Sequence, residues 1–173
     1  MVRGRKNPRH YGLPSRLSKA RKNAELTRKA LVQSAGTGQT AVRDIETGQR
    51  VPTVGTVSRL AAALDCSAAY LAYGLGDIST DDPPATCDGM GARLQAVRVE
   101  RDFTKAALAR LVELSPSSFA KIENGGQTGV DVLEALAQAL GVSPGWLAFG
   151  VGPQVLPSRR RSRQVAQPAE PEP

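Results

Sequence analysis

The chain has 173 residues, of which 40% are hydrophobic and 4% aromatic, and it carries a net charge of +7. This length allows one medium domain or two small ones, and an aliphatic core suits short helices because Ala and Leu are strong helix formers. The positive charge favours a polyanionic partner, either nucleic acid or an acidic membrane face. No apolar stretch follows the basic N-terminus or reaches the length of a membrane span, so we expect a cytoplasmic protein.

The first half of the chain predicts five short helices in succession. Each predicted helix is a stretch with apolar residues at helical spacing. Residues that can cap a helix and glycines that can end one lie between these stretches. The predicted elements are helix one over 15–23, helix two over 28–34 behind the cap Thr27, helix three over 39–47, helix four behind the cap Thr53, and a last turn from the cap Ser67 to Gly74.

The second half repeats this pattern. Ile45 corresponds to Ile122, and after one deleted residue "YLAYG" at Tyr70 corresponds to "WLAFG" at Trp146. The expected caps of the second copy are Thr104, Ser115 and Ser143, and prolines stand at the first helical position after the last two. We therefore expect an arm and first domain over 1–76, an acidic Pro/Gly linker over 77–91, a second domain over 92–152, and a disordered tail over 153–173.

The stretch "LQAVRVERDFTKAALARLVELSPSSFAKIENG", with "WLAFG" after it, resembles the phage repressor and Cro-type (XRE) helix-turn-helix family. The first copy diverges around "SAGTGQTAVRDIETG" but keeps the spacing. The resemblance implies an all-α, lambda repressor-like fold with two tandem five-helix domains, in a bacterial, phage or plasmid setting. It also implies that the third helix of a domain lies in the major groove of DNA, and that the start of the second helix contacts phosphate.

The first copy offers suitable side chains for both roles. Gln39, Thr40 and Arg43 lie on the predicted outer face of helix three, where Gln can bond adenine, Arg can bond guanine and the Thr methyl can touch thymine. Gln39 and Arg43 are four residues apart and are expected to be neighbours on one helix. By the resemblance, Arg28 stands at the phosphate position, with Lys29 after it.

A basic arm precedes the first copy. Its cations are Arg3, Arg5, Lys6 and Arg9. Such an arm can lie in a minor groove or along phosphates, and the alternative is a disordered, solubilising tail.

The second copy is a poorer reader of bases. Phe119 and Ile122 are its expected core pair, and Pro116 and Ala120 replace Gln39 and Arg43. The remaining candidate contacts are weak or to phosphate: Ser117, Ser118, Lys121, and Lys105 at the position of Arg28.

Charge follows the same division. Residues 1–76 contain 13 Lys+Arg and 4 Asp+Glu, whereas residues 77–150 contain 6 and 10. Since counterion release from phosphates drives non-specific affinity, an acidic domain is a poor independent DNA binder.

These observations predict a sequence-specific regulator of transcription that binds double-stranded DNA and acts as a repressor. The first domain is expected to be the main reader, and the second to serve homodimerisation or binding of a protein partner. One alternative keeps both domains on DNA as a single-chain pseudo-dimer. Another is a protein-interaction module that uses the same fold to bind a toxin, a polymerase subunit or another regulator.

The sequence lacks the sets of residues that are typical of enzyme active sites and metal sites. One histidine, His10, and two distant cysteines, Cys66 and Cys87, fall short of a zinc set. The acidic linker lacks the spacing of a calcium loop. We therefore expect reduced thiols, no cofactor and no enzymatic activity.

Overall fold

The computed structural model describes residues 8–78 and 88–156. The described part consists of a 3-10 helix at Arg9–Gly12 followed by ten α-helices, which confirms the predicted all-α tandem. The helices of the first domain are α1 (Leu13–Asn23), α2 (Arg28–Ser34), α3 (Ala41–Glu46), α4 (Val54–Ala63) and α5 (Ala68–Tyr73). Those of the second are α6 (Met90–Glu100), α7 (Lys105–Leu111), α8 (Pro116–Glu123), α9 (Val130–Leu140) and α10 (Pro144–Phe149).

The predicted caps are confirmed in both copies. Each cap side chain accepts a hydrogen bond from the backbone N–H three residues later, so one unpaired donor of the first turn is satisfied. These caps are Thr27, Thr53, Ser67, Thr104, Ser115 and Ser143. The agreement arises because capping is a local interaction that a few adjacent residues determine.

The predicted core pairs are also confirmed. Val42 and Ile45 of α3 are 0% and 1% exposed, and Phe119 and Ile122 of α8 are 0% and 4% exposed. Each pair faces inward because residues three apart lie on one side of a helix. The opposite sides of α3 and α8 are therefore left to solvent or to a partner.

The two domains pack directly against each other. Helix α5 lies against α10, and the chain entering α4 pairs with the chain entering α9. Helix α6 begins at Met90, inside the stretch expected to be linker, and Met90 is buried in the shared core. The buried side chains of both domains thus form one continuous apolar cluster.

Two further predictions concern membrane-spanning segments and the state of the cysteines. Among the helices described, none is both long and apolar enough to cross a membrane. Cys66 is a free thiol, and burial, with a smaller contribution from Asp65, raises its pKa to about 11. Cys87 lies outside the described residues.

Candidate nucleic-acid interface

Helix α3 is shorter than the sequence predicted. It begins at Ala41 and ends at Glu46, so Gln39 and Thr40 lie in the preceding turn, and Gln39 is not one helical turn before Arg43. The corresponding helix α8 begins two positions earlier because Ser115 caps it. Gly38 occupies that position in the first copy and has no side chain with which to cap.

The three candidate base-reading side chains of the first domain are nevertheless all exposed. Gln39 and Thr40 lie in the turn that enters α3, and Arg43 lies in the helix itself. Behind them, Ala41 and Val42 are buried and fix the helix to the core. This arrangement presents an amide, a hydroxyl and a guanidinium on one short segment of chain.

Arg28 is positioned at the first residue of α2 by a buried carboxylate. Its Nε donates to Oε2 of Glu46 at 2.5 Å, and Nε of Arg21 donates to Oε1 of the same residue at 2.7 Å. The Glu46 side chain is 2% exposed, whereas that of Arg28 is 53% exposed. The guanidinium of Arg28 is therefore oriented by the protein while part of it remains open to solvent.

Ionisation of Glu46 is part of this arrangement. Burial by itself would raise the pKa of this carboxyl, but the hydrogen bonds and charges of Arg21 and Arg28 outweigh burial and hold it below the ordinary value. The anion is thus the stable form, and it links the ends of α1 and α3 to the start of α2.

The second domain repeats this ion-pair network. Nε of Arg98 donates to Oε1 of Glu123 at 2.6 Å, and Nζ of Lys105 lies 3.0 Å from Oε2. Lys105, like Arg28, is about half exposed, at 49%. Both domains therefore hold one cation at the start of their second helix.

The outer face of α8 is short and polar. Ser117, Ser118 and Lys121 are exposed, as is Pro116 at the helix start. The hydroxyl of Ser115 also lies 3.1 Å from that of Ser117 and donates to that of Ser118 at 2.8 Å. These serines are engaged in the cap, which leaves Lys121 as the long side chain of this face.

The N-terminal arm departs from the prediction at Arg9. Arg3, Arg5 and Lys6 lie outside the described residues, but Arg9 belongs to the 3-10 helix and is half-buried. Its backbone N–H donates to Oε1 of Glu134 at 2.7 Å, and its carbonyl oxygen accepts from Arg16. Arg9 is thus packed against the folded protein and is not part of a free arm.

Sequence reasoning missed the role of Glu134. This α9 residue is 1% exposed and accepts hydrogen bonds from the backbone N–H of His10 at 3.0 Å and from its Nδ1 at 2.8 Å, in addition to that from Arg9. Burial would raise the pKa of Glu134, but the bonds from His10 and Arg9 hold it below its ordinary value. A carboxylate on the inward, apolar face of α9 was the available signal, because a buried charge requires partners.

Not every basic residue contributes to a DNA-binding surface. Arg16 donates to the carbonyl oxygens of Leu71 and Ala72 at 2.9 and 2.7 Å, which anchors the end of α5. Arg93 makes the equivalent bonds at the end of α10. These two guanidiniums stabilise the fold, so the regional net charge overstates the charge that is free to meet phosphate.

Comparison with known proteins agrees with the repeat. One family model, described as "Helix-turn-helix", matches residues 17–71, and another, described as "Helix-turn-helix domain", matches residues 90–148. The chain is similar to the HTH-type transcriptional regulator PrtR of Pseudomonas aeruginosa, with 34% identity over 90 residues. That match covers 52% of this chain and 33% of the regulator. No solved structure matches the chain.

Proposed function

We propose that this protein, which belongs to the helix-turn-helix family through two tandem domains, is a sequence-specific DNA-binding regulator of transcription. It binds double-stranded DNA and represses by covering a promoter. A relative that is named as a transcriptional regulator supports the general role. Base recognition is assigned to the first domain, in which the turn into α3 and α3 itself enter the major groove.

The observation that carries this proposal is the joint exposure of Gln39 and Thr40 in the turn entering α3 and of Arg43 in α3 itself, while the other face of the helix is buried. An arginine can donate to both acceptors, O6 and N7, on the major-groove edge of guanine. A glutamine amide can donate to N7 of adenine and accept from its N6 amino group. Gln39 lies in the turn before the helix, so it approaches DNA from the N-terminal end of α3, where recognition helices commonly contact bases.

Arg28 and Lys29 supply the backbone contacts in this proposal. Both are exposed at the start of α2, and Arg28 is held in place by Glu46. A positioned cation at a helix N-terminus suits a phosphate, because the helix end itself attracts an anion. Such contacts fix the position of the domain along the duplex without reading sequence.

The experiment begins with selection of bound duplexes from random DNA by the 173-residue chain. The selected duplex is then used to measure the affinity of Arg43→Ala, which should lose about 1–3 kcal/mol on this duplex and much less on random DNA. Arg59→Ala is the matched control, since it removes an exposed arginine from α4. Equal losses for the two variants, or no enrichment of any sequence, would reject the assignment of α3 as the reader.

A further inference from the structure

Residues at the same position of the two repeats contact each other between the domains. Thr53 forms an antiparallel bridge with Gly129, its counterpart in the second copy. Two reciprocal backbone hydrogen bonds flank this pair, from Val54 to Thr128 at 2.9 Å and from Val130 to Pro52 at 3.1 Å. Exchange of the two copies maps each bond onto the other, as a twofold axis through this point requires.

The last helices of the domains meet in the same way. A Cβ atom added to Gly145 of α10 would lie 3.0 Å from that of Ala69, its counterpart in α5. Farther along, the rings of Tyr73 and Phe149, again counterparts, have centroids 6.4 Å apart. Self-contacts at three repeat positions indicate that the two domains are related by a local twofold axis, as the subunits of a symmetric dimer are.

Contacts that break the symmetry secure this arrangement. The hydroxyl of Tyr73 donates to the carbonyl oxygen of Val130 at 3.1 Å, and the backbone N–H of Gly55 donates to Oε1 of Gln127 at 3.0 Å. The 3-10 helix of the first domain also binds Glu134 of the second. These bonds join the domains in one orientation, which a flexible tether alone would not specify.

From this symmetry we propose that one chain binds one duplex as a pseudo-dimer, with α3 and α8 in successive major grooves over two unlike half-sites. The proposal rests on the proposed function for the identity of the ligand. It replaces the expected division of labour, because the second domain now occupies DNA beside the first. Because α10 covers one face of α5, that face is not available to a second copy of the chain.

The chain length between each reading helix and the axis fits this proposal. Successive grooves on one side of B-DNA are about 34 Å apart, so each helix must lie about 17 Å from the axis. Glu46 at the end of α3 is seven residues from Thr53, and Glu123 at the end of α8 is six from Gly129. Fully extended chains of these lengths would reach at most about 25 and 22 Å, so the number of residues between each helix and the axis does not exclude this separation.

The two half-sites are unlike because α3 and α8 present different side chains. Arg43 in α3 is matched by Ala120 in α8, whose exposed side chains are short except for Lys121. The half-site under α3 should therefore be strongly specified, and the half-site under α8 weakly. Lys105 and Lys121 hold the second domain on the duplex mainly through phosphates.

The test is hydroxyl-radical footprinting of the selected duplex, with the mass of the complex measured on the same sample. We expect one chain per duplex and two protected segments about ten base pairs apart. At a protein concentration that saturates the duplex, Lys121→Ala should weaken protection of the less specified segment only. Under the same condition Arg110→Ala, which removes an exposed arginine from α7, should leave both segments unchanged.

Each contrary result has a distinct meaning. One protected segment per chain, or two chains on each duplex, would overturn the pseudo-dimer while leaving sequence-specific binding by α3 intact. A complex that loses both segments equally with Lys121→Ala would also overturn it. If the parent protein shows no sequence preference in the selection from random DNA, the proposed function is rejected, and the pseudo-dimer is rejected with it.

Discussion

Tyr73 donates a hydrogen bond across the domain interface to the carbonyl oxygen of Val130, at 3.1 Å. Its counterpart, Phe149, has no hydroxyl group and cannot return the bond. Tyr73 is 1% exposed, so the bond lies in the apolar core that the two domains share. This polar link fixes the orientation of α5 relative to the start of α9.

Tyr73→Phe should therefore loosen the interface without leaving a cavity. We expect the free energy of unfolding to fall by about 0.5–1.5 kcal/mol, the usual net value of one hydrogen bond. Denaturant unfolding followed by circular dichroism measures this change. Tyr70→Phe is the control on the same helix, and an equal loss in the control would show that the hydroxyl of Tyr73 contributes nothing specific.

Tyr73 should also make the protein sensitive to alkali. Burial, with smaller contributions from Glu134 and Asp131, raises its pKa well above the ordinary value, so the folded state keeps the neutral phenol. A raised folded pKa means that stability is complete below about pH 10, the pKa of an unfolded tyrosine, and falls as pH rises above it. Ultraviolet titration should show one tyrosine ionising only with unfolding, and that phase should be absent from Tyr73→Phe.

Local patterns predicted most of this fold. The caps at Thr27 and Ser115 and the inward pairs Val42–Ile45 and Phe119–Ile122 depend on residues a few positions apart, and these predictions were confirmed. The start of α3 was predicted wrongly because Gly38 has no side chain that could cap a helix beginning at Gln39. That error also misplaced Gln39, which enters the candidate site from a turn and not from a helix.

Contacts between residues far apart in the chain could not be predicted from local sequence patterns. Arg9 was expected in a free arm, yet its backbone binds Glu134, which is 125 residues away. The contact of Ala69 with Gly145 could not be predicted from the sequence either. Small residues are common in helices, so their presence does not show which two helices pack together. The internal repeat did raise the possibility of a single-chain pseudo-dimer, but the sequence offered no means to choose it over a second copy of the chain.

Gly145→Leu tests the close approach of α5 and α10. Even a Cβ atom at this position would lie 3.0 Å from the Cβ of Ala69 and 3.3 Å from Cδ1 of Leu75, so a larger side chain must separate the helices. Overpacking of this kind costs about 1–3 kcal/mol, which thermal or denaturant unfolding will detect. Gly38→Ala is the control, because a Cβ there meets no atom within 4 Å. Unchanged stability of Gly145→Leu would mean that the two helices are not in contact in solution.

Acid should weaken the link between Arg28 and α3. The folded pKa of Glu46 is depressed, so its ionised form stabilises the protein above the ordinary value of 4.5, and this contribution is lost as pH falls through the folded pKa. Unfolding measured from neutral pH down to pH 3 should show a steeper decline in the parent protein than in Glu46→Gln. Glu100→Gln, which removes an exposed carboxylate from α6, is the matched control. Parallel profiles for the parent protein and Glu46→Gln would show that this ion pair has no net effect on stability.

Gly38→Ser should lengthen α3 at its N-terminal end. The new hydroxyl has the position that Ser115 has in the second copy, where it accepts from the N–H of Ser118, so it should accept from Ala41 and bring Gln39 into the first turn. The expected gain over glycine is only a few tenths of a kcal/mol, and backbone chemical shifts of Gln39 and Thr40 are the more sensitive measurement. Gly38→Ala fills the same space without an acceptor and should not produce helical shifts. If both variants give the same shifts, the absence of a cap does not set the start of α3, and the different presentation of Gln39 and Pro116 requires another cause.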